Sequence, residues 1–352
     1  MSRFFTKSLS ALQPYTPGEQ PQDQKYIKLN TNESPFPPAP GVLKTIDRAE
    51  VAKLYLYSDP DCKALIEAIA KRFGLEPSQV TVGNGSDEVL WFALRAFCDE
   101  QTPLAYSDIT YGCYKTWCGL LNVPSKILPL KADYSVDLLL YNDLKATVMV
   151  TNPNAPTGIC LSLAEIETVL RANRDNVVIV DEAYVDFGGE SAVTLINRYD
   201  NLLVVQTCSK SRSLAGARLG FAMGNADLIA DLNRIKFSFN PYNVNRLTCL
   251  AGIAAMEDED YFCRCTSAVA ATRERVAAQL WEMGFALTDS KANFLFAASS
   301  RIPGGELYRK LKEKGILVRH FDKPRLDDRL RITVGSDQQM NALLAALREL
   351  GA

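Results

Sequence analysis

The chain has 352 residues, of which 47% are hydrophobic and 23% charged, and a net charge of −2. That length can bury a large core and suffices for one large unit plus a smaller one, with the composition of a globular protein. The near-neutral balance gives no electrostatic case for nucleic acid or an anionic membrane, and no apolar run approaches the roughly 18–20 residues of a bilayer span. The first nine residues lack the apolar core and cleavage site of a signal peptide, which points to the cytoplasm. Nine cysteines are scattered without a C-x-x-C pair, so reduced thiols are expected rather than zinc. His320 is the single histidine, so a general base is expected to be another residue type.

Residues 1–40 hold seven prolines, including the run Pro35 to Pro40, and read as an extended arm because proline blocks helix and ladder pairing. Cys62 to Phe73 is amphipathic and stops at Gly74; Ser86 to Phe97 is a second helix. Thr147–Val150, Val177–Val180 and Leu202–Val205 are continuous apolar runs, the pattern of parallel strands covered on both faces. Strands separated by helices of this length predict an α/β doubly wound, mostly parallel sheet. A buried helix over Asn243–Met256 leads into a longer one near Glu259–Met283. A strand (Asn293–Ala297), a helix (Gly305–Lys314), two strands (Ile316–Val318 and Leu330–Val334) and a terminal helix follow, predicting a smaller C-terminal α/β domain. The expected division is an arm over 1–40, a large domain over 41–257 and a small domain over 258–352.

In a parallel sheet, ligands collect at the carboxyl ends of the strands, and the chemistry-bearing residues fall there. Lys210 lies just past the Leu202–Val205 run, where an amine is costly to desolvate unless used, for instance as a Schiff base with an aldehyde. Thr207, Ser209 and Arg218 beside it suit a phosphate, and the pairing suggests pyridoxal phosphate; the other reading is a solvated loop lysine. The turn Gly83-Asn-Gly-Ser86 opens a helix whose N-terminal N–H groups suit an anion, although Ser86 would serve equally as an N-cap. Asp181 ends the run Val177–Val180. A carboxylate there needs a cation such as a pyridinium N–H, unless it caps a helix or binds Mg²⁺. Tyr184 would reach the same space, and Tyr111 would offer a flat face for a ring or simply pack in the core.

The segments LNTNESP (29–35), YSDPDCKAL (57–65), VGNGSDEVL (82–90), TNPNAPTG (151–158), VIVDEAYVDF (178–187), SKSRSLAGARLGF (209–221) and LRITVGS (330–336) occur in this order. Together they resemble the fold-type I pyridoxal-phosphate aminotransferases, and within them the histidinol-phosphate aminotransferase family of histidine biosynthesis. The resemblance runs from Tyr15 to Gly335. It implies pyridoxal 5'-phosphate as cofactor, with Lys210 forming the Schiff base and then moving the substrate proton. Asp181 would pair with the ring nitrogen, Tyr184 with the ring oxygen, and Tyr111 would stack. Gly85, Ser86 and Asp87, with Thr207, Ser209 and Arg218, would hold the phosphate. Tyr57 would reach the phosphate of the neighbouring subunit, making a homodimer with shared sites. Arg331, assisted by Arg319, would bind the glutamate carboxylate and the substrate phosphate, and Tyr15, Asn32 and Glu33 would close over the substrate.

One departure is visible: the family has asparagine before Pro-Thr-Gly where this chain has Ala155, so Asn154 would have to take the contact to the ring oxygen, or Tyr184 would make it alone. The expected reaction moves the amino group of histidinol phosphate onto 2-oxoglutarate, both small molecules. The alternatives are an aromatic or broad-specificity aminotransferase, a threonine-phosphate decarboxylase, and a non-catalytic binding protein on the same fold. Cys208 and Arg212 have no assigned function.

Overall fold

Alternate side chains of a strand leave opposite faces of its sheet, so a continuous apolar run requires cover on both. The computed structural model describes Thr6, Leu9 and residues 11–352. The remaining residues of the opening segment, read above for a leader, lie outside it. After a two-residue strand, β1 (Ile27–Lys28), come β2 (Val80–Gly83), β3 (Leu104–Ser107), β4 (Ser125–Leu128), β5 (Thr147–Thr151), β6 (Val178–Asp181), β7 (Leu202–Thr207) and β8 (Gly220–Gly224). Strands β2 to β8 form one sheet in the order β2-β8-β7-β6-β5-β3-β4. The five strands from β7 to β4 are mutually parallel, and β8 alone runs against the others. The expected mostly parallel sheet is borne out.

The two faces fill separate cores. Val148, Val150, Val178, Val180, Leu202 and Val204 point to one, and Met149, Ile179, Leu203 and Val205 to the other. Leu65 and Ile69 of the Lys63–Phe73 helix cover the first face; Val89, Leu90 and Ala93 of the Ser86–Phe97 helix cover the second. Each fully buried aliphatic side chain stabilises by about 1.5–3 kcal/mol relative to exposure, so these stripes pin both helices. The helix expected from Asn243 runs over Arg246–Glu257. Asn245 caps it, accepting from the Thr248 N–H at 2.9 Å.

The chain beyond the Glu259–Glu282 helix builds a second sheet from β9 (Phe285–Leu287), β10 (Phe294–Ser299), β12 (Arg319–His320) and β13 (Leu330–Thr333), in the order β12-β13-β10-β9. All its pairings are antiparallel. Leu295, Ala297, Leu330 and Ile332 form a core with Leu307 and Leu311 of the Gly304–Glu313 helix and Leu343 and Leu347 of the Asp337–Leu350 helix. Two expectations need correction. The strand over 316–318 divides: β11 (Ile316–Leu317) pairs with β1, and after Val318 the chain changes sheet to β12. The arm does pair with a ladder, over Ile27–Lys28, where its proline-free stretch leaves the N–H groups available. Leu29 of the arm is also buried in the second core.

Candidate active site

Strands β5 and β6 end at Thr151 and Asp181, which are register partners, and β7 runs two residues past Val205, the partner of Asp181, to end at Thr207. The loops that follow open on a cavity of about 240 Å³, closed on its far side by the arm and by the second sheet. Lys210, Asp181, Tyr184, Tyr111, Ser86, Asp87, Thr207, Ser209, Arg218, Tyr15, Arg319 and Arg331 all line it.

One end is suited to an anion. The Ser86–Phe97 helix starts at Gly85 with no side-chain cap, which leaves first-turn N–H groups for a ligand. Gly85 holds φ at +85°, and an added Cβ would meet the Arg218 guanidinium at 2.6 Å. Gly220 of β8 passes so close that a Cβ there would lie 2.2 Å from the Ser86 nitrogen. Thr207 Oγ1 donates to Ser209 Oγ at 3.0 Å, and Arg218 reaches Ser209 Oγ at 3.4 Å and Asp87 Oδ2 at 3.2 Å. Tyr111 donates to the other Asp87 oxygen at 3.0 Å.

Deeper in, the Asp181 carboxylate is buried, accepting from Tyr114 at 2.6 Å and from the Ala183 N–H at 3.2 Å. Burial pushes its carboxyl up to about 6, against the pull of these hydrogen bonds. The Tyr184 hydroxyl accepts from Asn32 Nδ2 at 3.1 Å, and burial raises its pKa. Lys210 Nζ donates to the Thr31 carbonyl at 2.9 Å. Desolvation, reinforced by the Arg331 guanidinium, pushes it down to about 8. Its loop is pinned by the two residues that follow. Ser211 Oγ donates to Asp186 at 2.5 Å, and Arg212 donates to the Ala255 carbonyl at 2.5 Å and lies over the Phe262 ring. Cys208 is fully buried, its thiol pushed up to about 12 by that burial.

Arg331 comes from β13. Leu330 and Ile332 enter the second core, so strand alternation sends Arg331 and Thr333 to the opposite face. One guanidinium nitrogen donates to the Asn30 carbonyl at 3.0 Å, while Nε is buried with no protein partner. A buried guanidinium donor left over beside a cavity is suited to a ligand anion. Arg319 is instead committed to the arm, donating to the Thr16 and Pro17 carbonyls at 3.0 and 3.2 Å.

Five expected residues are not on the cavity wall: Gly85, at the helix terminus beside it, and Asn154, Glu33, Asn32 and Tyr57. Asn154 turns into its own loop, donating to the Ile109 carbonyl and to Thr157, and Ala155 lines the cavity in its place. The Asn154 amide donor is thus used within its own loop. Glu33 is held by Lys28 at 2.7 Å and by the Thr31 hydroxyl. Asn32 is buried and reaches the site through Tyr184. Tyr57 stands 81% exposed, stacked on Tyr242. Sequence reasoning missed Tyr114, Thr151 and the Thr31 carbonyl. Tyr114 follows Tyr111 by three residues, just inside the Cys113–Leu121 helix that Tyr111 precedes, and the two rings meet edge to face at 5.6 Å.

An apolar sheet edge carrying a desolvated lysine, a buried aspartate and an uncapped helix terminus is the arrangement of an aldehyde-cofactor enzyme. The chain belongs to the class I and II aminotransferases, whose family model matches residues 24–347. It is 50% identical to a histidinol-phosphate aminotransferase of Marinomonas sp. strain MWYL1, over 99% of this chain and 100% of that one. It is 46% identical to one from Clostridium acetobutylicum, over 99% of both. Among solved structures, the histidinol-phosphate aminotransferase of Sinorhizobium meliloti in complex with pyridoxal-5'-phosphate superposes with a TM-score of 0.89. It is 25% identical, with 100% of this chain and 98% of that chain covered. The family resemblance carried by the seven sequence segments is borne out.

Proposed function

We propose that this chain moves the amino group of histidinol phosphate to 2-oxoglutarate, with pyridoxal phosphate as cofactor. The observation that carries this reading is the convergence of Lys210, Asp181, Arg331 and the uncapped Ser86–Phe97 helix terminus on one cavity. These residues fit the cofactor: an amine for its aldehyde, a buried carboxylate for its ring nitrogen and free N–H groups for its phosphate. When bound, pyridoxal phosphate supplies an aldehyde that condenses with amines and a ring that draws electrons from the adjoining carbon.

The backbone at Gly85, Ser86 and Asp87, with Thr207, Ser209 and Arg218, would hold the phosphate. Asp181 would hold the ring N–H as an ion pair, Tyr184 would donate to the ring oxygen, and Tyr111 would cover a ring face. Lys210 Nζ, neutral over a wider pH range than an ordinary lysine, takes and returns the proton of the substrate carbon. Arg331 binds the substrate anions through its spare donors, and Tyr15 on the arm excludes water. The named donor is supported by the relatives at 46–50% identity over the whole chain.

The same reading takes the protein as a cytoplasmic homodimer. Leu54, Tyr55, Leu56 and Tyr57 are exposed together, as are Phe237, Phe239 and Tyr242, an apolar surface suited to a second copy. Tyr57 would complete the partner's phosphate site, since it stands off the cavity of its own chain. The two cores support a division into arm 1–40, large domain 41–257 and small domain 258–352. No helix among the described residues is long and apolar enough to cross a membrane.

Single-turnover mixing of the cofactor-loaded protein with histidinol phosphate, phenylalanine or threonine phosphate tests the donor. Histidinol phosphate is expected to react at least about tenfold faster than the others. An equal rate with phenylalanine, or carbon dioxide released from threonine phosphate, would overturn the assignment.

A further inference from the structure

We infer that Tyr114 is a positioning residue that keeps Asp181 ionised for the cofactor's ring nitrogen. This rests on the pyridoxal-phosphate reading above. Tyr114 lies in the first turn of the Cys113–Leu121 helix and is wholly buried. Its hydroxyl donates to Asp181 Oδ2 at 2.6 Å, a distance typical of O–H bonded to a carboxylate. Behind it, Thr151 Oγ1 lies 2.9 Å from the Tyr114 oxygen, and Thr110 Oγ1 lies 2.9 Å from Thr151.

A hydroxyl carries one hydrogen. With the Tyr114 hydrogen given to Asp181, the Thr151 hydrogen can go to Tyr114 and the Thr110 hydrogen to Thr151. The chain then ends on a group that only accepts, which is what an ionised carboxylate is. Without Tyr114, Asp181 would keep one hydrogen bond, from the Ala183 N–H, against the same burial. The other groups around it do not substitute. Asp87 acts against its charge, the Cys113 thiol and the Tyr184 phenol stay protonated at neutral pH, and Lys210 and Arg331 line the cavity with their own partners. Tyr114 itself is held protonated, by burial first and by the Asp181 charge second, so its hydrogen is always available.

The test is the affinity of the full-length protein for pyridoxal phosphate between pH 5.5 and 9, in wild type, Tyr114→Phe and Tyr106→Phe. Taking the ratio between variants cancels the titration of the cofactor phosphate and of Lys210, which all share. At low pH, binding must ionise a protonated Asp181, and the lost hydrogen bond is felt only in the bound state. At high pH it is lost equally before and after binding. Tyr114→Phe is therefore expected to bind about ten- to a hundredfold more weakly near pH 5.5, with the gap closing toward pH 9. A tyrosine with a purely structural role would weaken binding by one factor at every pH, and that result, or no weakening, overturns the inference. Tyr106 packs against Tyr114 but bonds Ser125, so Tyr106→Phe is expected to show no pH-dependent gap; an equal gap there also overturns it. Should Tyr114→Phe not fold, Thr151→Val breaks the next link and is expected to give the same pH profile with a smaller factor; a flat profile there overturns the inference. Wild-type protein that binds no pyridoxal phosphate would instead defeat the cofactor reading itself.

Discussion

Burial shifts both Lys210 and Asp181 toward their neutral forms, pushing the amine down to about 8 and the carboxyl up to about 6. Lys210→Ala removes the one lysine among the described residues that line the cavity. We expect a folded protein, by circular dichroism, whose turnover falls by several orders of magnitude; activity within tenfold of wild type would sink the role. For Asp181, a folded-state pKa raised to about 6 means the native protein binds a proton more tightly than the unfolded chain does. Its contribution to stability is full below about pH 4 and is lost as pH rises through about 6. In cofactor-free protein, Asp181→Asn should therefore gain about 1–3 kcal/mol at pH 7.5 and nothing at pH 4, while catalysis collapses. Urea unfolding at the two pH values checks the gain, and a loss of stability at pH 7.5 would refute the account.

At the scale of elements, β13 and β8 each place one decisive residue. Alternation along β13 buries Leu330 and Ile332 and turns Arg331 to the cavity. Lysine at 331 would keep the charge and lose the forked donors. Arg331→Lys is expected to lower kcat/KM about ten- to a hundredfold in both half-reactions, whereas an ordinary ion pair would leave both unchanged. Loss on the glutamate side alone would show that the donor's phosphate is held elsewhere. On β8, Gly220 lets the sheet edge pass beneath the helix terminus. Gly220→Ala puts a methyl against the Ser86 backbone, which cannot swing aside as a side chain would. We expect about 1–3 kcal/mol of destabilisation, read as a lower Tm, together with weaker cofactor binding. An unchanged affinity would mean that the turn does not hold the phosphate.

Across the whole molecule, the site exists only where three parts meet: the carboxyl edge of the large sheet, one face of the second sheet, and the arm laid between them. Lys210 bonds the arm at Thr31, Arg331 bonds it at Asn30, and Arg319 bonds it at Thr16 and Pro17. If Tyr57 completes the partner's site, two defective proteins should rescue each other. Mixing Tyr57→Ala with Lys210→Ala under subunit exchange produces heterodimers with one site carrying both defects and one intact. Activity should recover to about a quarter of wild type, since half of the dimers are mixed and each has one good site. No recovery, with exchange verified by mass, would place Tyr57 in its own chain's chemistry.

Much was decided by local sequence. The central strands β5, β6 and β7 were legible because β-branched runs covered on both faces have no polar alternative. The Ser86–Phe97 helix was legible from its glycine turn and its apolar stripe. Lys210 and Asp181 were legible because a charge directly after a buried strand has few cheap explanations. The strand β4 was not: Ser125, Lys126 and Ile127 are exposed at the sheet edge, so no burial pattern marks them. Nor was β8, whose glycines serve close approach to another segment instead of packing. Tyr114, the inward turn of Asn154 and the commitment of Arg319 to the arm all depend on hydrogen-bond partners far away in the chain or on a loop closed by tertiary contacts. Periodicity and residue chemistry act along the chain, and so the sequence by itself determined the class of fold and which ionisable residues stand at the carboxyl edge of the sheet. Which donor meets which acceptor is set by where separate segments come to rest, and only the tertiary structure decided that.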